Sequence, residues 1–289
     1  MTRSGGLLRI HAAVLLFGLA GLFGKWLTLP AIIIVLGRVL FAAGSLGVAI
    51  LLLRRPFRLK QRDDYRSMAL LGLLLAIHWY TFFEAIQQST VGIALLTFST
   101  FPVFTALLEP WFFGERLRLR DLGAGLVALT GVSLVIPEFS LSDQGTIGAL
   151  WGVASGATFA LLSILNRKYA AEYSGDLIAF WQDLSAAVFL LPFLFFYEVT
   201  ILPSDLGLLV LLGVLFTGLS HSLFISGLRV VRTKTASVIT TLEPIYAIMA
   251  AGLFLGETPD LKMIAGGSII LGAALYETVT SRTTGLPPG

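Results

Sequence analysis

Residues 94–131 read ALLTFSTFPVFTALLEPWFFGERLRLRDLGAGLVALTG, and residues 236–273 read ASVITTLEPIYAIMAAGLFLGETPDLKMIAGGSIILGA. The two stretches align without a gap at a constant offset of 142. The alignment pairs Pro102 with Pro244, Val103 with Ile245, Phe104 with Tyr246 and Phe112 with Phe254. It also pairs Gly114-Glu115 with Gly256-Glu257, Leu119 with Leu261 and Gly125 with Gly267. Phe82 and Phe224 keep the same offset, as do Lys25 and Arg167. A slip of two residues brings Leu40-Phe41-Ala42-Ala43 onto Leu184-Ser185-Ala186-Ala187. Similarity of this kind marks one structural unit used twice, with expected halves 1–138 and 139–289.

Composition decides what the unit is made of. Of 289 residues, 56% are apolar and 13% charged, with a mean hydropathy of +0.87. A soluble domain carries about 25% charged residues, so polar side chains here are too few to cover an aqueous surface and lipid must be the outer solvent. A spanning helix needs roughly 20 apolar residues and satisfies its own backbone hydrogen bonds. Ten segments qualify: 7–27, 30–53, 67–88, 93–113, 119–136, 145–165, 177–199, 205–226, 233–255 and 261–279. The expected fold is therefore all-α and integral to the membrane. Every connection is too short for a nucleotide-binding domain or an extramembrane enzyme.

Charge sets the orientation. With the N-terminus inside, 17 of the 20 lysines and arginines fall on the cytoplasmic side, Lys25 and Lys262 fall outside, and Arg38 lies within a span. That asymmetry follows the positive-inside rule and places both termini in the cytoplasm. The same rule accounts for the net charge of +3 without a nucleic-acid partner. Arg3 and Arg9 ahead of an apolar run resemble the start of a signal peptide, but no small-residue cleavage site follows, so the segment reads as a retained helix. The chain has no cysteine, hence no disulfide framework or thiolate metal site. The tail from Thr283 to Gly289 reads as disordered.

Five spans per half is an odd number, so the second half must cross the membrane in the opposite sense. An inverted repeat lets one backbone pack in two mirrored ways, which is the structural basis of alternating access, with substrate near mid-membrane between the halves.

The proline, then eleven residues, then Gly-Glu, present once in each half, resembles the drug/metabolite transporter superfamily. More narrowly it resembles the ten-helix EamA-type exporters, and within them the YddG-type exporters of aromatic amino acids. The resemblance covers essentially the whole chain. It implies two five-helix bundles, a central cavity lined by spans one to four and six to nine, peripheral fifth and tenth spans, and export of amino acids or related metabolites.

Polar residues deep in a bilayer are costly and face the bundle interior or a cavity. Arg38 reads either as a bidentate clamp for a substrate carboxylate or as a partner of Glu84. Glu243 reads as an ammonium contact, a proton site or a structural partner of His78. His78 and Asp183 are the other candidate proton sites. Trp79, Tyr80, Phe98, Thr100, Phe101, Trp181, Gln182 and Tyr246 complete the expected lining, together with Phe17. Not all of His78-Trp79-Tyr80 can face one cavity, because successive helical residues are about 100° apart. Pro102 and Pro244 each remove a backbone donor, and read as hinges that free the carbonyls of Phe98 and Thr240. Glu115 and Glu257, at span ends, suit a shared structural task. The sequence shows no His-Glu-x-x-His, Gly-x-Ser-x-Gly or P-loop, and no filter-like segment or ring of charge. The expectation is an inner-membrane carrier of neutral, hydrophobic or aromatic amino acids, monomeric, with no cofactor or metal; the alternatives are another metabolite or drug carrier of the same superfamily, anionic substrates included, a channel or a membrane-embedded hydrolase. Its partners are a small-molecule substrate and the bilayer.

Overall fold

The computed structural model describes residues 2–113, 119–136, 138, 140–228, 230, 231 and 239–280. Glu115 and the tail from residue 281 lie outside them. Every regular element among the described residues is helical. Helices α1 (Arg3–Ala20) and α2 (Phe23–Trp26) make the first long segment, followed by α3 (Ala31–Leu52) and α4 (Arg62–Gln88). The next segment is α5 (Val91–Phe98) with α6 (Phe101–Phe113), and then comes α7 (Leu119–Val135). The rest of the chain holds α8 (Gln144–Glu172), α9 (Gly175–Leu190) with a 3₁₀ turn over Leu191–Phe195, and α10 (Pro203–Gly213). A π-helical stretch, Val214–Leu219, joins α10 to α11 (Ser220–Leu228), and α12 (Glu243–Leu255) and α13 (Leu261–Thr280) follow.

Among the described residues, seven helical segments are long and apolar enough to cross a membrane, and three shorter apolar helices, Asp121–Val135, Glu243–Leu255 and Leu261–Tyr276, accompany them. Large apolar side chains face outward along the bundle, such as Phe195 at 92% exposed and Trp111 at 84%. In water these would be a liability; in hydrocarbon they are the ordinary outer surface.

The main packing joins the first seven helices to the last six. α4 lies against α8 and α9, α1 against α11 and α12, α3 against α9, α10 and the π-helical stretch, and α7 along α13. Glycine permits these approaches, because a Cβ would collide with the neighbouring backbone. At Gly72 it would lie 2.7 Å from the Gln182 carbonyl oxygen and 3.0 Å from the Ala186 nitrogen. At Gly213 it would lie 2.7 Å from the Arg38 carbonyl oxygen and 3.2 Å from the Ala42 nitrogen. Gln182 and Ala186 are the partners of Arg38 and Ala42 in the aligned second span, so the same contact is built twice. Gly148 against the Ala85 carbonyl likewise matches Gly6 against the Gly227 carbonyl, each residue displaced by 142.

The two prolines produce breaks instead of kinks. α5 stops at Phe98 and α6 restarts at Phe101, with Pro102 in its first turn; a turn at Thr241-Leu242 precedes α12, with Pro244 near its start. Around Pro102 the nearby hydroxyls do not turn to the freed Phe98 carbonyl. Thr97 donates to Ile93 and Ala94, Ser99 to Leu95 and Thr100 to Thr97. The Phe98 carbonyl instead meets Gly156, whose Cβ would come within 2.8 Å of it.

Candidate functional site

Arg38 organises the centre. It sits on α3 at 3% exposure, and its Nε donates to the Thr217 hydroxyl at 3.0 Å. Its guanidinium carbon lies 3.9 Å from the centre of the Trp79 ring and 5.4 Å from that of Phe83. A cation over an indole face is attracted by the ring quadrupole, more strongly where water is excluded. Trp79 also stacks on His221, ring centroids 5.6 Å apart at 29°, and Phe17 meets His221 edge-on at 5.9 Å. The charge of Arg38 acts on Asp183 and on Glu243, yet neither carboxylate lies within 4.0 Å of it, since the ion pairs among the described residues are Arg55–Asp176 and Arg66–Asp63. Arg38 therefore does not pair with Glu84, which instead accepts from the Gln88 amide at 3.4 Å.

Thr217 is the member that the sequence reading missed. Between Gly213 and Phe224 there are 11 steps, whereas between Gly72 and Phe82 in the first half there are 10. One extra residue in a helix is absorbed as a π turn, a rare feature that is frequent at functional sites. The Thr217 hydroxyl accordingly donates to the Leu212 carbonyl, five residues back, while receiving Arg38. The one-residue change of offset is the signal that would have found it.

The remaining candidates divide. His78 Nδ1 lies 3.1 Å from both the carbonyl and the hydroxyl oxygen of Ser155, tying α4 to α8, and its ring lies beside Phe98 and Phe159. Phe98 stacks on Phe101 at 5.5 Å, and Phe159 packs edge-on to both. Thr100 spends its hydroxyl on its own helix. Tyr80 turns toward Glu84 and Trp151. Trp181 donates its indole N–H to the Phe57 carbonyl at 3.0 Å and packs on Tyr65, which makes it a clamp for the segment between α3 and α4. Gln182 bonds the Asn166 side chain between α9 and α8 at 2.5 Å. Tyr246 packs in a small cluster with Ile10 and Val14. Glu243 is buried at the start of α12, where Gly18 of α1 closes on its carbonyl.

An open central cavity was expected; in this conformation the central residues touch. Trp79 and Glu243 are each 6% exposed and Asp183 is 0% exposed. Two hollows lie elsewhere. One of about 460 Å³ runs along Val188, Leu191 and Phe195. The other, about 80 Å³, is lined by Thr90, Gly92, Glu257 and Met263 among others. Beside the latter, Glu257 accepts from the Val91 amide at 3.0 Å, capping α5, and Lys25 donates to the Ser89 carbonyl. Burial pushes the Glu257 carboxyl above its usual range, while Lys25 and the amides of Val91 and Gly92 pull it back. Glu257 thus serves as a bridge between the α4–α5 junction and the segment after α12, while Glu115, expected to share its task, lies outside the described residues.

The uncharacterized transporter YxxF of Bacillus subtilis (strain 168) is 26% identical over 270 residues, covering 91% of this chain and 86% of the relative. The threonine/homoserine exporter RhtA of Salmonella typhimurium (strain SL1344) is 30% identical over 247 residues, covering 82% and 80%. The pseudopaline exporter CntI of Pseudomonas aeruginosa (strain PAO1) is 27% identical, covering 88% of each chain. A crystal structure 20% identical in sequence superposes with a TM-score of 0.66 over 96% of this chain and 97% of that one, which shows the shared fold. The EamA-like transporter family matches twice, at residues 4–136 and 146–277, and this multi-span inner-membrane chain belongs to it.

Proposed function

We propose that the protein exports neutral amino acids, hydrophobic or aromatic ones foremost, by alternating access between two inverted five-span halves, 1–138 and 139–289. The observation that carries this reading is Arg38, buried on Trp79 and bonded to Thr217 across the two halves, with Asp183 and Glu243 within its field. A guanidinium suits a carboxylate, the two acids suit an ammonium, and Trp79 and Phe17 offer an apolar wall for a side chain. The matched glycine contacts support the repeat, as does the double match to one family. The relative named a threonine/homoserine exporter supports the amino-acid class. The proposed topology has ten spans and cytoplasmic termini, in line with the charge asymmetry.

The test is counterflow in proteoliposomes preloaded with phenylalanine or threonine, with and without a pH gradient. Saturable exchange is expected, and phenylalanine is expected to compete better than threonine. A non-saturating flux would replace the carrier with a channel; exchange restricted to amine-free carboxylates would replace the substrate class.

In the alternating-access reading, the bridge made by Glu257 and Lys25 holds the outer side closed. Because the chain lacks cysteine, a single Thr90→Cys probe reports on that region. Adding Glu257→Ala removes a charge-assisted bond worth about 1.5–3 kcal/mol, and maleimide labelling of the probe is expected to accelerate by about tenfold or more. An unchanged rate would leave Glu257 as a helix cap alone.

A further inference from the structure

We propose that Asp183 recognises the α-ammonium of the transported solute and makes the carrier selective for compounds bearing a free primary amine beside a carboxylate. The inference rests on the reading of the chain as an amino-acid exporter and deepens it.

Asp183 lies in the middle of α9 at 0% exposure, and neither of its carboxylate oxygens has a hydrogen-bond partner. A buried carboxylate in that condition is strongly disfavoured, so the group either holds a proton or is met by a cation, and a solute ammonium supplies the second. Arg38 does not supply it here. Its Nε is committed to Thr217, its plane lies against Trp79, and it stays beyond 4.0 Å of the carboxylate. Two other buried polar side chains of the bundle core are satisfied by contrast. Gln182, one residue earlier, bonds Asn166, and His78 bonds Ser155.

The other buried side-chain atoms without a partner among the described residues are His221 Nδ1 and Ser222 Oγ, both on α11, which packs against α9. Two further polar groups free to bond a ligand thus lie on a helix adjacent to that of Asp183. The charge balance points the same way, since one guanidinium faces two carboxylates, Asp183 and Glu243. A primary ammonium presents three donors and one positive charge. In an α-amino acid it stands about 3 Å from the carboxylate, so a single small solute can span between Asp183 and the remaining donors of Arg38.

The experiment is phenylalanine counterflow in proteoliposomes of the full chain, competed by phenylalanine, N-acetylphenylalanine and phenethylamine. Wild type, Asp183→Asn and Asp183→Glu are compared, each first shown to be monodisperse in detergent. Wild type is expected to reject the N-acetyl compound. Asp183→Asn is expected to raise the phenylalanine KM by about tenfold or more and to admit the N-acetyl compound about as well as phenylalanine. Asp183→Glu should keep the preference for the free amine. If Asp183→Asn is not monodisperse, thermal unfolding of the wild type decides: stabilisation by phenylalanine and not by its N-acetyl form upholds the assignment, and equal stabilisation overturns it. An Asp183→Asn carrier with the wild-type KM and intact rejection of the N-acetyl compound overturns it as well, leaving the exporter reading standing. A wild type that exchanges no amino acid removes the exporter reading and the assignment together.

Discussion

Arg38→Ala is expected to reduce amino-acid exchange by about two to three orders of magnitude. The change removes the positive charge from a cluster holding two buried carboxylates, empties the face of Trp79 and leaves the Thr217 hydroxyl without its donor. Deleting one partner from a buried charged set typically costs about 3–5 kcal/mol, and each 1.4 kcal/mol is about a factor of ten. Arg38→Lys separates the contributions. It keeps the charge but cannot reproduce a flat group lying on an indole while donating sideways, so an intermediate loss of about tenfold is expected, most of it in KM. Counterflow rates normalised to monodisperse protein are the measurement. Near wild-type exchange by Arg38→Ala would mean that the guanidinium holds helices together and takes no part in binding.

The second large effect concerns folding. Gly213→Val is expected to destabilise the protein by about 1–3 kcal/mol or more, the usual cost of forcing atoms into a packed interior. The obstacle at Gly213 is the Arg38 backbone carbonyl, 2.7 Å from the position of the added Cβ, and backbone yields less readily than a side-chain tip. Gly72→Val meets the matching carbonyl of Gln182 at the same 2.7 Å. The two variants are therefore expected to lower the unfolding temperature in detergent by similar amounts. Only Gly213→Val should also impair exchange, because the displaced backbone is that of Arg38. Similar exchange losses in both would show that the defect is general loosening and not displacement of the site.

Much of the architecture was legible in the residues. Composition called for lipid, and the spacing of apolar runs located the helices, because hydrocarbon forces every backbone group to find a partner within its own segment. The site was legible only as a set of rare deep polar residues. Whether Arg38 meets Glu84, Thr217 or Trp79 depends on helix rotation and relative depth, and linear spacing carries neither. His78 and Trp181 stand among the expected lining residues, and in the structure both make contacts between segments, with Ser155 and with the Phe57 carbonyl. A constant offset of 142 does not reveal the π turn; the single-residue departure from it, upstream of Phe224, carries that information.

The contact of α7 with α13 has a consequence of its own. A Cβ at Gly131 would strike the Gly266 carbonyl at 2.8 Å, and one at Gly266 would strike the Gly131 carbonyl at 2.6 Å. The two main chains thus meet directly at this crossing, with the Ile270, Val135 and Leu134 side chains packed around it. So close an approach leaves acyl chains no width to wedge in, and in the alternating-access reading this line is expected to serve as an axle.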